Sequence, residues 1–298
     1  MTTILFVKTS SLGDVVHNCP AVSDAARALP GVAIDWIVEE PFAGIAAMHG
    51  AVRRWRSGLW KPEVWAEIGA WRREVRRSRY DAVVDTQSLL KSAFVSALAR
   101  GRRHGMDWAS AREPLAAAFY QVRHAVPRAL HAVERNRRLA AAALGFSLQS
   151  SIDYGIRIPA AEKSGYVVLL TMTSRADKLW PEERWVELGR GLRAPAILPW
   201  GSEAERARAH RIAQVIGGTT LPEPLALDEL ARLFAAARGV VGLDTGLTHL
   251  AAALGVPTVG IYCGSDPVLT GLYGAAHARN VGGPGRPPGA DEVLQLLG

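Results

Sequence analysis

The chain has 298 residues, of which 49% are hydrophobic and 21% charged, so it is long and apolar enough for two cored domains and is not a disordered protein. Its only cysteines, Cys19 and Cys263, exclude a disulfide framework and predict a reducing, cytoplasmic location. The apolar start is too short for a signal peptide, and no segment approaches the roughly 18 to 20 apolar residues of a membrane span, so any membrane contact is expected to be peripheral.

The net charge of +7 is unevenly distributed along the chain. Residues 1–155 hold 21 Lys and Arg against 14 Asp and Glu, whereas residues 156–298 hold 14 of each. An excess confined to one half indicates an anionic partner for that half, such as a nucleic acid, a phospholipid surface or a phosphorylated substrate. Solvated charged faces explain the same excess equally well.

The first half of the chain alternates short apolar runs with helical periodicity. Ile4–Val7 predicts a strand, and the periodic stretch Val15–Leu29 predicts a helix that ends before Pro30. Ala33–Val38 and Ala82–Asp85 predict two more strands that end in polar residues. This part of the chain therefore reads as a βα series.

An arginine-rich stretch in the same half predicts an amphipathic helix over Val64–Arg79. Its apolar face would carry Val64, Ile68, Trp71 and Val75. The basic residues lie largely off that face, and with their upstream neighbours they are Arg53, Arg54, Arg56, Lys61, Arg72, Arg73, Arg76, Arg77 and Arg79. Such a surface either meets anionic headgroups and phosphates or is a solvated face.

A second series of strands follows the linker Pro159–Gly165. Strands are predicted at Tyr166–Leu170, Ala196–Leu198, Gly239–Leu243 and Thr258–Tyr262, each followed by a loop and helical periodicity. Two consecutive βα series predict an α/β fold of two Rossmann-like domains, residues 1–158 and 159–298. Ligands are then expected in the cleft at the carboxyl ends of the strands.

The loop after the first strand, Lys8–Asp14, ends in a carboxylate. It has a single glycine where a dinucleotide-binding fold has G-x-G-x-x-G, which disfavours a simple NAD enzyme. Asp14 would face the cleft at the start of the first helix. Capping that helix is a common role for such an acid, and in isolation it is the preferred one.

The corner Gly242–His249 joins a strand to an apolar helix in the second half. Asp244, Thr245 and Gly246 would offer free backbone N–H groups to a phosphate, while an acid and hydroxyls can bind sugar hydroxyls. Helix capping, and a buried structural role for His249, are the alternatives. The combination of Asp, Thr, Gly and His at one corner favours a binding site.

Two further strand-end loops carry polar side chains. Thr173 and Ser174, with Lys178 nearby, could cradle a phosphate without the Walker pattern of a P-loop ATPase. Glu203 follows the next strand and could accept hydrogen bonds from ribose hydroxyls. The alternative for Thr173, Ser174 and Lys178 is an ordinary polar loop before a helix. The alternative for Glu203 is that it merely begins the next helix.

Taken together, these segments resemble the lipopolysaccharide heptosyltransferases, and the Lys8–Asp14 loop and the Arg112-Glu-Pro segment resemble heptosyltransferase I more than the second enzyme. The resemblance covers almost the whole chain in order. It departs in a shorter stretch at Arg53–Lys61 and in the end at Gly298. The segments that carry it are Lys8–His17, Val38–Glu40, Gly105–Trp108, Ala111–Leu115, His131–Arg135, Lys178–Glu182, Leu198–Gly201 and Asp244–His249.

The resemblance implies a GT-B glycosyltransferase that inverts the anomeric configuration, without a metal or cofactor, using ADP-heptose as co-substrate. It implies that Asp14 is the catalytic base. The donor-binding residues would be Thr173, Ser174, Lys178, Glu203, Asp244, Thr245, Gly246 and His249. The acceptor-binding residues would be Lys91, Arg112, His131 and Arg135, facing a Kdo-lipid A acceptor at the cytoplasmic face of the inner membrane.

Three other functions remain open from the sequence. A second heptosyltransferase or another ADP-sugar transferase would differ only in its acceptor. A non-catalytic nucleotide-sugar-binding protein would keep the Asp244 corner but could dispense with Asp14. A nucleic-acid-binding protein would use the basic half and the nine tryptophans, yet no RNA- or DNA-binding motif accompanies them.

Overall fold

The structure, a computed structural model, describes residues 1–56, 73 and 75–297. The chain divides into two compact units, Met1–Arg157 and Ile158–Gly298. Within the described residues, each unit contains one six-stranded sheet, and the paired strands are parallel. The predicted α/β fold with two Rossmann-like sheets is therefore confirmed.

The first sheet has the strand order β3-β2-β1-β4-β5-β6. Its strands are β1 (Thr3–Val7), β2 (Ala33–Ile37), β3 (Val52–Arg56), β4 (Arg79–Asp85), β5 (Arg100–Met106) and β6 (Val122–His124). The helices of this unit are α1 (Leu12–Ala28), α2 (Ala43–Met48), α3 (Leu90–Leu98) and α4 (Ala132–Leu144), with 3-10 helices at Glu40–Phe42 and Pro114–Phe119. The side chains of Ile4 to Val7 are all fully buried. Because successive strand residues point to opposite faces, both faces of this sheet are covered.

A buried ion pair joins the two long helices of the first unit. The Arg137 Nε atom on α4 lies 2.7 Å from Asp24 Oδ2 on α1, and both side chains are almost completely buried. The same guanidinium donates to Glu134 and to the carbonyl of Gln149, so its remaining N–H groups are also used. Removing one partner would leave an uncompensated buried charge, which is the costly way to break such a pair.

The second sheet repeats the topology, with the order β12-β11-β10-β7-β8-β9. Its strands are β7 (Val167–Leu170), β8 (Ala196–Leu198), β9 (Thr219–Thr220), β10 (Gly239–Leu243), β11 (Thr258–Tyr262) and β12 (Ala278–Gly282). The helices are α5 (Glu182–Gly191), α6 (Glu203–Ile216), α7 (Leu227–Ala236), α8 (Gly246–Ala253), α9 (Pro267–Thr270) and α10 (Ala290–Leu297), with a 3-10 helix at Ala176–Lys178. The core includes Trp180 and Trp185, whose rings meet edge to face at 5.0 Å.

In both units the first and fourth strands in chain order are neighbours at the centre of the sheet. Connections leave these two strands toward opposite sides, so a crevice opens at their carboxyl ends, where ligands bind in open α/β sheets. In the first unit the two strands are β1 and β4, and in the second they are β7 and β10. The loops and first helical turns that follow these four strands carry Asp14, Lys91, Lys178 and Asp244.

Most of the predicted amphipathic helix over Val64–Arg79 lies outside the described residues. Of its apolar face only Val75 is described, and it is buried against Leu5, Val83 and Val95. Arg73, Arg76 and Arg77 are exposed, whereas Lys61 and Arg72 lie outside the described residues. Upstream, Arg53 on β3 forms a two-point ion pair with the buried carboxylate of Asp35. The described residues include no helix that is both long and apolar enough to cross a membrane.

His49 anchors the end of the first unit to its core. The ring Nε2 atom lies 3.2 Å from the carbonyl oxygen of Cys19, and Nδ1 accepts a hydrogen bond from the Ala51 N–H. Gly155, at φ +63°, lies so close that a Cβ there would be 2.5 Å from Nε2. Burial lowers the pKa of His49 to about 4, and the neighbouring charges of Asp153 and Arg157 oppose each other.

We expect His49 to make the protein less stable below neutral pH. A histidine whose pKa is lower in the folded chain than in the unfolded chain stabilises the folded state when it is neutral. This stabilisation is complete above the unfolded-chain pKa of 6.5 and declines as pH falls toward 4. The loss between pH 7.5 and 5 should be about 2 kcal/mol. Urea unfolding at both pH values measures it in the parent and in His49→Gln, whose amide can keep the hydrogen bond to the Cys19 carbonyl but does not titrate. An equal pH dependence in the two proteins would contradict this origin.

Candidate active site

Asp14 lies in the first turn of α1, at the carboxyl edge of the first sheet. Ser11 occupies the N-cap position of this helix, and the Asp14 carboxylate is in contact with two side-chain cations. Its Oδ1 atom lies 3.9 Å from Lys8 Nζ, and its Oδ2 atom lies 3.4 Å from Arg112 Nη1. The carboxylate is partly exposed, at 26%.

Lys8 is a buried ammonium group at the end of β1. Its Nζ donates to the carbonyl of Thr86, at 3.0 Å, at the end of the neighbouring strand. Burial lowers the pKa of Lys8, and the nearby carboxylates of Asp14 and Asp85 act in the opposite direction. Lys8 was part of the motif in the sequence but was not predicted as a site residue; its position directly after a buried strand was the available signal.

Gln87 fixes the loop that carries Asp14. Its Oε1 atom accepts hydrogen bonds from the N–H groups of Thr9, at 2.9 Å, and Ser10, and its Nε2 atom donates to the Ser10 carbonyl. Lys91 adds a second contact, because its Nζ lies 2.7 Å from Ser10 Oγ and 2.6 Å from Glu39 Oε1. The structure therefore places Lys91 against the Lys8–Asp14 loop, while its predicted contact with acceptor stays a prediction.

Asp85 ties the same edge of the sheet to the segment after β5. It is fully buried and accepts hydrogen bonds from the Ser92 and Tyr120 hydroxyls, both at 2.8 Å, and from two backbone N–H groups. Burial raises the pKa of Asp85, and these hydrogen bonds oppose that effect. With all its lone pairs engaged, this carboxylate supports the fold of the site.

The remaining predicted acceptor residues lie on α4 and just before the 3-10 helix at residues 114–119. Arg112 is exposed beside Asp14. Arg135 is partly buried, which lowers the pKa of its guanidinium, and the positive charges of Arg128 and Arg112 lower it further. His131 is the buried N-cap of α4, where its Nδ1 accepts from the Val133 N–H. The structure thus brings Asp14, Arg112 and Arg135 near one another and gives His131 a capping role.

In the second unit, four side chains converge at the end of β10. Asp244 Oδ2 accepts hydrogen bonds from Lys178 Nζ, at 2.6 Å, and Ser265 Oγ, at 2.5 Å. Its Oδ1 lies 3.3 Å from Nε2 of His249. Burial raises the pKa of Asp244, but these hydrogen bonds outweigh it and hold the pKa far below its usual range. The cluster is therefore built around a carboxylate that stays ionised.

Close backbone packing holds this cluster together. Gly242 has no room for a side chain, since a Cβ would lie 2.3 Å from the Thr248 hydroxyl, which donates to the Leu243 carbonyl. A Cβ on Gly264 would lie 2.5 Å from the Asp177 carbonyl, so the loop after β11 touches the loop after β7. This contact positions Ser265, which was not predicted; the polar residues directly after the apolar strand β11 were its only signal.

The other predicted donor residues lie at the same edge of the second sheet but outside the cluster around Asp244. Thr245 is the N-cap of α8 and Gly246 its first residue, so the first N–H groups of this helix are without intrahelical acceptors. Thr173 and Ser174 lie in the loop after β7 and are at least partly exposed. Glu203 is the exposed first residue of α6 and pairs with Arg206 one turn along that helix. Its predicted contact with a ribose stays a prediction.

Comparison with known proteins identifies the kind of enzyme to which these sites belong. Residues 68–289 match the model of glycosyltransferase family 9 (heptosyltransferase). The chain belongs to this family. The glycosyltransferase is 46% identical over 291 residues to lipopolysaccharide heptosyltransferase 1 of Salmonella typhimurium. The aligned region covers 91% of each chain.

Solved structures agree with the family assignment. The glycosyltransferase is similar to E. coli heptosyltransferase WaaC with ADP, with a TM-score of 0.90, 40% identity and 99% of each chain covered. It is also similar to the same enzyme with ADP-2-deoxy-2-fluoro heptose, with a TM-score of 0.88, 39% identity and 99% of each chain covered. The resemblance to the heptosyltransferases and the predicted GT-B architecture are thereby confirmed.

Proposed function

We propose that this glycosyltransferase moves heptose from ADP-L-glycero-β-D-manno-heptose to the Kdo of the lipopolysaccharide inner core, with inversion at the anomeric carbon. The observation that carries the proposal is the cluster of Lys178, Asp244, His249 and Ser265 at the crevice of the second sheet. It offers a cation for a diphosphate and a carboxylate for sugar hydroxyls in one place. The similarity to enzymes solved with ADP and with an ADP-heptose analogue supports it.

Asp14 would act as the base in a single displacement. Its carboxylate takes the proton from the Kdo hydroxyl while that oxygen forms a bond to the anomeric carbon. The bond from that carbon to the phosphate oxygen breaks, and ADP leaves with the bonding electrons. No glycosyl-enzyme forms, so one carboxylate is sufficient. Lys8 Nζ and Arg112 Nη1 lie 3.9 Å and 3.4 Å from the two carboxylate oxygens of Asp14.

The donor groups would stabilise the charge that develops on ADP. Lys178 would move from Asp244 to the diphosphate, and the N–H groups at the start of α8, near Thr245 and Gly246, would point at the same phosphates. The freed Asp244 would accept hydrogen bonds from heptose hydroxyls. Thr173, Ser174 and His249 would lie near the phosphates and Glu203 near the ribose.

On the acceptor side, cations would bind the carboxylates of Kdo and the phosphates of lipid A. Arg112 is the best placed, because it is exposed beside Asp14 and guanidinium binds a carboxylate through two parallel hydrogen bonds. Arg135, Lys91 and His131 would complete this surface. The proposal requires no metal or cofactor, since Lys178 and the start of α8 would supply the positive charge.

The acceptor also suggests where the enzyme works. A lipid-anchored acceptor is presented at a bilayer, so we propose a cytoplasmic protein in peripheral contact with the inner membrane. The excess of positive charge in residues 1–155 supports such a contact.

Incubation of the purified protein with ADP-heptose and Kdo-lipid A tests the proposal. We expect mass spectrometry of the lipid to show the addition of one heptose, with and without a metal chelator. Addition only to a core that already carries the first heptose would instead indicate a second heptosyltransferase. Binding of ADP-heptose with no product on either acceptor would indicate a non-catalytic binding protein.

A further inference from the structure

Four of the six exposed large apolar side chains in the described part of the first unit lie between residues 90 and 115. Leu90 and Phe94 on α3 are 40% and 43% exposed, Trp108 after β5 is 47% exposed, and Leu115 in the 3-10 helix is 64% exposed. Isolated apolar residues on a surface are ordinary, whereas a group on adjoining elements indicates a binding surface.

Direct contacts join these elements. Leu90 and Phe94 are one turn apart, so they lie on the same side of α3. The Leu90 N–H donates to Glu113 Oε2 at 2.6 Å, which holds the segment leading to Leu115 against the start of that helix. Beneath them, α3 and the 3-10 helix share a small buried cluster that includes Ala93 and Ala116.

Arginines border the apolar side chains. Three of them donate to backbone carbonyls of the segment around Leu115: Arg123 Nε to Ala117 O at 2.8 Å, Arg103 Nε to Phe119 O at 2.8 Å, and Arg128 to the Ala111 carbonyl. The Arg123 guanidinium carbon also lies 5.8 Å from the centre of the Trp108 ring. Each guanidinium has five N–H donors, so these contacts leave donors for an anion.

Charge in this part of the chain is strongly positive. Residues 90–128 contain seven Lys and Arg against two Asp and Glu, a net charge of +5 in a protein whose total is +7. Both carboxylates accept backbone hydrogen bonds, Glu113 from Leu90 and Asp107 from Ser110. Among the described residues neither carboxylate forms an ion pair with an arginine, whereas Lys91 and Arg112 are paired with Glu39 and Asp14 outside this range.

We propose that this apolar–arginine face, formed by Leu90, Phe94, Trp108, Leu115, Arg103, Arg123 and Arg128, docks on an anionic lipid bilayer. A bilayer is the partner that offers phosphates above hydrocarbon, and the face offers guanidinium groups beside leucine and phenylalanine. The apolar side chains enter the interface while the arginines bind headgroup phosphates. A nucleic acid would satisfy the arginines but would leave Leu90 and Leu115 without an apolar partner.

The face also adjoins the proposed base. Arg112, which contacts Asp14, lies three residues before Leu115 in the same segment. Docking here would bring the headgroup layer next to the carboxylate that takes the acceptor proton. The inference in this respect rests on the proposed function, because it assumes an acceptor held in a membrane.

Vesicle sedimentation of the full chain tests the face. We expect binding to vesicles that contain phosphatidylglycerol, weaker binding to phosphatidylcholine alone, and a decline with ionic strength. The double variant Phe94→Glu with Leu115→Glu should bind about 10-fold more weakly or worse, because both apolar contacts are lost. The matched control is Val215→Glu on α6 of the second unit, 52% exposed, which should bind like the parent.

A second variant and a second readout keep the outcomes distinct. Arg123→Gln should also weaken vesicle binding, and a urea-unfolding transition of the first unit close to that of the parent confirms that each variant is folded. The double variant should transfer heptose normally to a soluble, deacylated Kdo acceptor and poorly to acceptor in vesicles. Vesicle binding equal to the parent would overturn the inference, as would binding indifferent to anionic lipid or abolished by competing RNA. A parent that binds vesicles but transfers no heptose to either acceptor would refute the proposed function instead.

Discussion

Asp14→Asn is expected to lower turnover by about 10²- to 10⁴-fold, the usual contribution of a general base. The amide has nearly the same size as the carboxylate and keeps the first turn of α1, but it cannot take a proton. The affinity for ADP-heptose should change little, since the proposed donor-binding residues belong to the second unit. Single-turnover kinetics and calorimetry with the same preparation separate these two quantities.

Asp81→Asn is a matched control for the loss of an acid in the first unit. Asp81 lies on β4 and accepts the Thr3 N–H at the amino end of β1, the opposite edge of the sheet from Asp14. This control should retain turnover even if its stability falls slightly. Turnover near that of the parent in Asp14→Asn would reduce Asp14 to a favourable charge at the start of a helix.

Lys178→Met should weaken ADP binding by about 2 kcal/mol, roughly 30-fold, because it removes a charged hydrogen-bond donor to the diphosphate. Transfer should slow as well, since the departing ADP loses the same cation. Isothermal calorimetry with ADP and steady-state kinetics with ADP-heptose measure the two effects. Lys163→Met, which removes an exposed lysine of the same unit, is the matched control and should leave both unchanged.

Asp244→Asn should separate binding of the nucleotide from use of the sugar. In the free protein Asp244 holds Lys178 at 2.6 Å, so a diphosphate must compete with a carboxylate for this cation. Removing the carboxylate's charge should leave ADP affinity unchanged or raise it, while transfer from ADP-heptose falls because the sugar loses its acceptor. Unchanged ADP affinity in Lys178→Met, or a large loss of ADP affinity in Asp244→Asn, would contradict this arrangement.

The strands with apolar sequences were predictable, and those with charged sequences were not. Ile4–Val7, Gly239–Leu243 and Thr258–Tyr262 are central or covered strands, and their uninterrupted apolar runs predicted them within a residue. The strand Arg100–Met106 went unpredicted because it carries Arg100, Arg102, Arg103 and His104. Toward the edge of a sheet, a strand is stabilised mainly by pairing with its neighbours, whereas at the centre it is stabilised by burial of apolar side chains. Pairing with a distant strand is not visible in a local sequence pattern.

The candidate site was predictable in part for the same reason. Asp244 follows an apolar strand directly and Asp14 ends the loop after another, so their place at the carboxyl edge of a sheet follows from the sequence alone. Gln87 and Ser265 each lie in a loop with other polar residues, and nothing in the local sequence distinguishes them from those neighbours. Their roles depend on what lies across from them: the N–H groups of the Lys8–Asp14 loop for Gln87, and the Asp244 carboxylate for Ser265.

The sequence by itself determined which segments form buried strands, which loops end in carboxylates, and the resemblance to the heptosyltransferases. Only the tertiary structure decided that Lys178 pairs with Asp244, 66 residues away, and that Gln87 holds Thr9, 78 residues away. The physical reason is the strand order. Parallel strands far apart in the chain become neighbours at the centre of each sheet, so their following loops meet at one edge. The hydrogen bonds made across that edge then keep the Asp244 carboxylate ionised, against the effect of burial.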